Sequence, residues 1–273
     1  MYPLLFEFSP GHPLNSWLLM ALMGIWTCYF SISNDLKRKG ISNQQIRIGT
    51  LGGVITWFIG AHIGQLTTVG GPSEAVRSGF QLSGFVLYGG LIALVAYGGF
   101  YWWLLGWKRK LSLVELWDIA SLGVAWAFMW GRIGCTLYGC CYGSPSGSWP
   151  GYLLNEEHWD HKNQSFPKAL QGIRLHPATL YESIGFLFII GIMLWIRHVE
   201  KKKPGSFWPG QSGLICWTLY GVIRFFLEFI RFDLRGPSHF GLSPSQWISV
   251  FIVGLGLWGL TQMNLTNPKK KVK

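Results

Sequence analysis

Three stretches hold the residues best suited to chemistry. Arg224 and Glu228 are four apart and Arg231 follows at i+7, so a helix running through all of them would carry them on one face. A guanidinium there suits an anionic phosphate, which it grips with two parallel hydrogen bonds. The bland alternative is an interfacial ion pair, with Arg231 by itself snorkelling toward water. A second stretch, Trp130-Gly-Arg-Ile-Gly-Cys-Thr-Leu-Tyr-Gly-Cys-Cys-Tyr-Gly143, sets Arg132 among Gly131, Gly134, Gly139 and Gly143. Those glycines allow a bend or close approach to a ligand, and close helix packing would also use them. The third, His176-Pro-Ala-Thr-Leu-Tyr-Glu182, adds a carboxylate about two turns into a helix. Pro177 suits a first helical turn, where its missing N–H does no harm, so His176 by itself reads as structural.

Other candidates are weaker. Of five cysteines, Cys135, Cys140 and Cys141 crowd one turn. Their spacing matches no zinc site, and nothing points to a metal or an organic cofactor. They read as small buried apolar side chains. A disulfide on the outer side stays open, although adjacent Cys140 and Cys141 would pair poorly with each other. His158 and His161 read as solvated loop residues.

The elements that must position these groups are membrane spans. The chain has 273 residues, 49% hydrophobic and only 13% charged, with a mean hydropathy of +0.28. Soluble domains carry about 25% charged residues, so this chain lacks the polar surface of a water-facing globule. The 16 Trp and 18 Phe equally exclude a disordered chain. Apolar runs predict an all-α integral membrane protein of about seven helices, near 14–33, 46–69, 80–107, 113–138, 177–197, 210–231 and 245–263. They form one polytopic domain over 1–273, with a single long loop at about 144–175. No cleavable signal peptide is expected, because the first 13 residues hold a Glu and no Lys or Arg.

The net charge of +11 is gathered in blocks: Lys37–Lys39, Lys108–Lys110, Arg197 with Lys201–Lys203, and Lys269–Lys271 with Lys273. Blocks between apolar runs are membrane-flanking loops, not a nucleic-acid footprint. The positive-inside rule puts them in the cytoplasm, with the N-terminus outside and the C-terminus inside. Arg132 then lies ~30 Å along the fourth span from its cytoplasmic end. Glu182, the outer end of the sixth span and Tyr88 on the third fall in the same outer half. Ionisable groups inside spans are functional by default, and four helices bringing polar groups to one leaflet argue for a site there. Glu115 and Asp118, near the cytoplasmic side, are expected to pair with the Lys108–Lys110 block.

With these residues in place, most of the chain resembles the bacterial prolipoprotein diacylglyceryl transferase family. Gly131-Arg-Ile-Gly134 with Gly139 and Gly143 is similar to its signature segment, here in a Gly-Cys-Cys-Tyr-Gly form. His176-Pro-Ala-Thr-Leu-Tyr-Glu182 is similar to its His-Pro-x-x-Leu-Tyr-Glu motif, and Tyr220-Gly-Val-Ile-Arg-Phe-Phe-Leu-Glu-Phe-Ile-Arg231 to a further one. Gly89-Gly90-Leu91 resembles its Gly-Gly-Leu turn, and Leu242-Ser-Pro-Ser-Gln246 its last-helix entry.

The resemblance implies seven spans with the N-terminus outside, in the bacterial cytoplasmic (inner) membrane. It also implies an activity: moving diacylglyceryl from phosphatidylglycerol to the thiol of a lipobox cysteine in a prolipoprotein, with release of glycerol phosphate. By that resemblance Arg132 and Arg224 hold the phosphate while Glu228 and Glu182 orient them. Gly134, Gly139, Gly143, His176, Tyr181 and Arg231 are implied on the substrate side. Several members have His where Tyr88 stands, Asn at Cys135, Glu at Cys140 and a first-helix Tyr at Trp17. The base for the thiol is therefore open among Tyr88, His176 and the substrate itself. Two rival readings are a transferase with another acceptor and a non-catalytic lipid-binding or transport protein.

Overall fold

The computed structural model describes residues 4–7, 13–68, 87–104, 111–139, 141–147, 151–153, 172–232 and 240–265, with side chains within 16–64, 89–104, 111–139, 141–147, 151–153, 172–232 and 240–263. Seven helices lie among them: α1 (Ser16–Arg38), α2 (Asn43–Thr68), α3 (Leu87–Leu104), α4 (Leu113–Tyr138), α5 (Ala178–Lys202), α6 (Gln211–Leu227) and α7 (Pro244–Leu265). Two antiparallel strand pairs accompany them, β1 (Leu4–Glu7) with β2 (Pro13–Asn15) and β3 (Tyr152–Leu153) with β4 (Arg174–Leu175).

Five helices are long and apolar enough to cross a membrane: Ser16–Arg38, Asn43–Gly64, Leu113–Tyr138, Ala178–Lys202 and Pro244–Met263. Gly89–Leu104 is a shorter apolar helix, and α6 has 17 residues. Large apolar side chains such as Leu51, Ile55, Ile59, Ile63, Phe188, Trp195, Phe251 and Trp258 stand exposed on helix faces, where a bilayer rather than water is the natural solvent. The chain is a multi-pass membrane protein of the all-α class.

Helix starts follow local chemistry. Ser42 with Gln45, Ser112 with Glu115 and Ser243 with Gln246 form reciprocal capping boxes: each serine hydroxyl accepts the N–H three residues on, and each acidic or amide side chain accepts the serine N–H. Glu115 thus caps α4 and also binds Lys39. Its expected partners, Lys108–Lys110, lie outside the described residues. Asp118, whose expected partners are the same undescribed lysines, caps a helix. Its carboxylate accepts the N–H groups of Gly210 (2.6 Å) and Gly213 (2.7 Å), capping α6 at the positive end of the helix dipole.

Two compact units divide the chain: Ser31–Leu116, and Met1–Phe30 with Trp117–Lys273. In the first, α2 and α3 touch backbone to backbone. A Cβ on Gly60 would collide with Ala93 and the Gly89 carbonyl, and one on Gly89 with the Gly60 carbonyl. Gly60 and Gly64 against Gly89 and Ala93 make a small-residue seam of the kind membrane helices favour. Gly89 and Gly90 therefore lie inside a helix, not in the turn that their motif suggested, because close packing requires them there.

In the second unit Leu122, Ala125, Met129, Phe186, Ile189, Ile190, Met193, Cys216 and Tyr220 form a core where α4, α5 and α6 meet. The start of α1 packs on α4, where Gly24 lies against Ala127, and α7 packs on α6, where Gly221 lies against Val253 and the Ser249 carbonyl.

Candidate active site

The framework of the site is built where α4, α5 and α6 end or begin. Gly139 stops α4: at φ 83° its N–H turns back to the Cys135 carbonyl at 3.0 Å. The chain passes through Cys141, also left-handed at φ 57°, into a short extended segment that pairs on both sides. On one side Gly143 N–H donates to the His176 carbonyl (2.9 Å), His176 N–H to Ser144 (3.0 Å) and Ser146 N–H to Arg174 (2.7 Å). On the other, Ser144 N–H donates to the Ile230 carbonyl at 2.6 Å. A Cβ at Gly143 would sit 2.7 Å from the His176 oxygen and 3.0 Å from the Ile230 oxygen, so only glycine allows the three segments to meet. This pairing sets where α5 begins and where the chain goes after α6.

It also changes the expected face of α6. The helix ends at Leu227, and Phe229 and Ile230 close a tighter turn onto the Phe226 and Leu227 carbonyls. Arg231 then forms a bridge with Gly143. Arg224 and Glu228 keep their i,i+4 relation, whereas Arg231 has left the helix because backbone pairing captures it. Nor does Arg231 snorkel. Its side chain is 2% exposed, and Nη1 lies 3.3 Å from Glu182 Oε2.

Glu182, in the second turn of α5 and 1% exposed, is the hub. Its Oε2 also meets Arg132 Nε at 3.1 Å, and its Oε1 accepts the Tyr220 hydroxyl at 3.4 Å. Tyr220 lies one turn before Arg224 on α6, which ties this cluster to the next. There Arg224 Nη2 is 2.8 Å from Glu228 Oε2 and 3.3 Å from Ser245 Oγ, and Ser243 Oγ donates to Glu228 Oε1 at 2.8 Å. Arg224 is buried, and its Nη1 has no hydrogen-bond partner among the described residues. Among those residues three guanidiniums meet two carboxylates in these clusters. A buried guanidinium donor left without an acceptor is unfavourable.

The structure thus brings together Arg132, Glu182, Arg224, Glu228 and Arg231, and assigns Glu182 to the Arg132 side and Glu228 to the Arg224 side. Gly134 packs against Trp17 and Met20 of α1. His176 Nδ1 is 3.3 Å from the Tyr181 hydroxyl. Tyr88 lies in the first turn of α3, and its side chain is outside the described residues. So are Cys140, His158, His161 and positions 154–171 of the long loop. Cys135 and Cys141 are only partly buried, against the expectation of buried thiols, because they flank the exposed end of α4. No disulfide joins the described cysteines Cys28, Cys135, Cys141 and Cys216.

Three contributors were not singled out from the sequence: Tyr220, Ser243 and Ser245. Tyr220 stands four residues before Arg224, hence on its face, and Ser243 opens a Ser-Pro-x-Gln capping box. Both signals were readable. Ser245 had none, since its contact with Arg224 crosses between helices.

A family model described as prolipoprotein diacylglyceryl transferase matches residues 3–262. A protein of Clostridium perfringens named phosphatidylglycerol–prolipoprotein diacylglyceryl transferase 2 is 34% identical over 261 residues, covering 93% of each chain. A Clostridium tetani protein of the same name without the numeral is 28% identical over 262 residues, covering 94% of this chain and 96% of its own. A Treponema denticola namesake is 25% identical over 268 residues, covering 82% and 77%.

Proposed function

Because the chain belongs to the prolipoprotein diacylglyceryl transferase family, we propose that it transfers the diacylglyceryl group of phosphatidylglycerol to the thiol of a lipobox cysteine in prolipoproteins. The thiol sulfur attacks the diacylglyceryl methylene carbon that bears the phosphate ester. The C–O bond breaks with its electron pair going to the phosphate, which leaves as glycerol phosphate. A thioether forms, and the thiol proton passes to a base.

The observation that carries this reading is the buried Arg224 Nη1, which has no hydrogen-bond partner among the described residues, beside a cluster that gathers Arg132, Arg224 and Arg231. A phosphodiester brings one negative charge and the departing monoester develops a second. Arginines that meet it therefore bind the transition state more strongly than the ground state, which is what accelerates the step. Arg132 and Arg224 clamp the phosphate. Glu182 and Glu228 hold those guanidiniums in place, and Arg231 shares Glu182. Tyr88 and His176 are the candidate bases. A thiol with an ordinary pKa of about 8.5 needs only a weak one, or a positive field. Gly134, Gly139, Gly143 and Tyr181 shape the substrate side.

In this reading all 273 residues form one membrane domain in the bacterial cytoplasmic (inner) membrane, with seven spans, the N-terminus outside and the C-terminus in the cytoplasm. The site opens to the outer leaflet. The test is transfer of label from phosphatidylglycerol, radiolabelled in its diacylglyceryl glycerol, to a lipobox peptide by the purified protein in detergent. Label on the peptide, lost with a Cys→Ser peptide and with Arg132→Ala protein, supports donor, acceptor and clamp together. Absence of label with wild-type protein overturns the reading.

A further inference from the structure

We propose that Ser245 and Ser243, at the entry to α7, are positioning residues for Arg224: they fix one edge of its guanidinium so that Nη1 stays available to the phosphate. This rests on the function proposed above and adds α7 to the catalytic apparatus.

The guanidinium is held asymmetrically. Both contacts fall on Nη2, one from Glu228 Oε2 at 2.8 Å and one from Ser245 Oγ at 3.3 Å. Nη1, equally buried, has none among the described residues. Glu228 is itself pinned, because Ser243 Oγ donates to its other oxygen at 2.8 Å. Ser243 in turn has little freedom. Its hydroxyl accepts the Gln246 N–H at 3.2 Å, its own N–H donates to Gln246 Oε1 at 2.9 Å, and Pro244 restricts the backbone that follows. One hydroxyl therefore serves as the cap of α7 and as the support of Glu228.

The distance between the helices is also set. Below the serines, a Cβ on Gly221 would meet Val253 Cγ2 at 2.9 Å and the Ser249 carbonyl at 3.2 Å, and Gly256 lies directly against Thr218. The α6–α7 seam has no slack by which Ser245 could drift from Arg224. With Ser245 replaced by alanine, Nη2 keeps Glu228 alone, and the guanidinium can pivot about that single partner. Catalysis is sensitive to such misplacement.

Two variants and two readouts test this. Ser245→Ala should lower kcat for diacylglyceryl transfer by about 10-fold while KM for phosphatidylglycerol stays within about twofold, because the loss is greatest as charge develops. Ser245→Thr, which keeps the hydroxyl, should restore most of the rate. A purely structural role would instead lower the melting temperature and leave kcat per folded molecule unchanged. The second readout needs no turnover. In protein labelled with 15N-arginine, the Arg224 guanidinium signal, assigned by its loss in Arg224→Lys, should be slow to rotate and exchange in wild type. It should sharpen into fast exchange in Ser245→Ala and return in Ser245→Thr. An unchanged Arg224 signal in Ser245→Ala overturns the inference. So does an unchanged kcat in a transferring enzyme. If wild type transfers no label, the proposed function falls, and the guanidinium signal alone decides the positioning.

Discussion

Arg231 and Glu182 meet at 3.3 Å although one lies beyond the end of α6 and the other in the second turn of α5. The contact depends on Gly143, whose pairing with Arg231 draws that residue out of the helix and turns its side chain toward the carboxylate already held by Arg132. One buried carboxylate thus lies between two guanidiniums, and its removal would leave both without it in a low-dielectric interior.

Glu182→Ala should therefore destabilise the protein by about 3–5 kcal/mol, the range for breaking a buried ion pair from one side. Glu182→Gln keeps the volume and most hydrogen bonds and should lose less. Thermal unfolding in detergent measures both, and an Ala variant that melts like wild type would contradict the hub.

Arginine at position 132 presents Nε to Glu182, and in the proposed clamp its other donors meet the phosphate. Lysine supplies the charge without the planar fork. Arg132→Lys should retain the fold and lose at least about 10-fold in transfer, and Arg132→Ala should abolish transfer. Peptide labelling against membrane protein level separates the two losses. Near-normal transfer by Arg132→Ala would remove the clamp assignment.

The signature glycines should not respond alike. Gly143→Ala forces a methyl group to within 2.7 Å of the His176 oxygen, and should cost about 1–3 kcal/mol together with most of the activity. Gly131→Ala meets nothing within 4 Å and should change stability by no more than about 0.5 kcal/mol. Paired melting curves decide it. Equal losses would mean that the three-segment pairing is not what requires Gly143.

Asp118→Ala leaves two N–H groups at the start of α6 without their acceptor, for a loss of about 0.5–2 kcal/mol. Asp118→Asn, which can still accept, should lose less. Transfer per folded molecule should stay unchanged in both. A selective loss of turnover at normal stability would place Asp118 in the chemistry instead.

Much of what depends on near neighbours along the chain was legible from its residues. Apolar runs located the helices, and the four-residue spacing of Arg224 and Glu228 put them on one face. These features are local because a helix relates residue i to i+4 whatever surrounds it. Which distant groups meet is set by how the helices pack. Glu182 and Arg132 are fifty residues apart, Glu182 and Arg231 forty-nine, and Asp118 and Gly210 ninety-two. Periodicity says nothing about how one helix is rotated against another, so it could not divide two carboxylates among three arginines. It also could not foresee that α6 would release Arg231, because the competing pairing with Gly143 comes from a segment almost ninety residues earlier. The same reason hid Ser245. Its hydroxyl reaches Arg224 only because Gly221 and Gly256 let α7 lie close against α6.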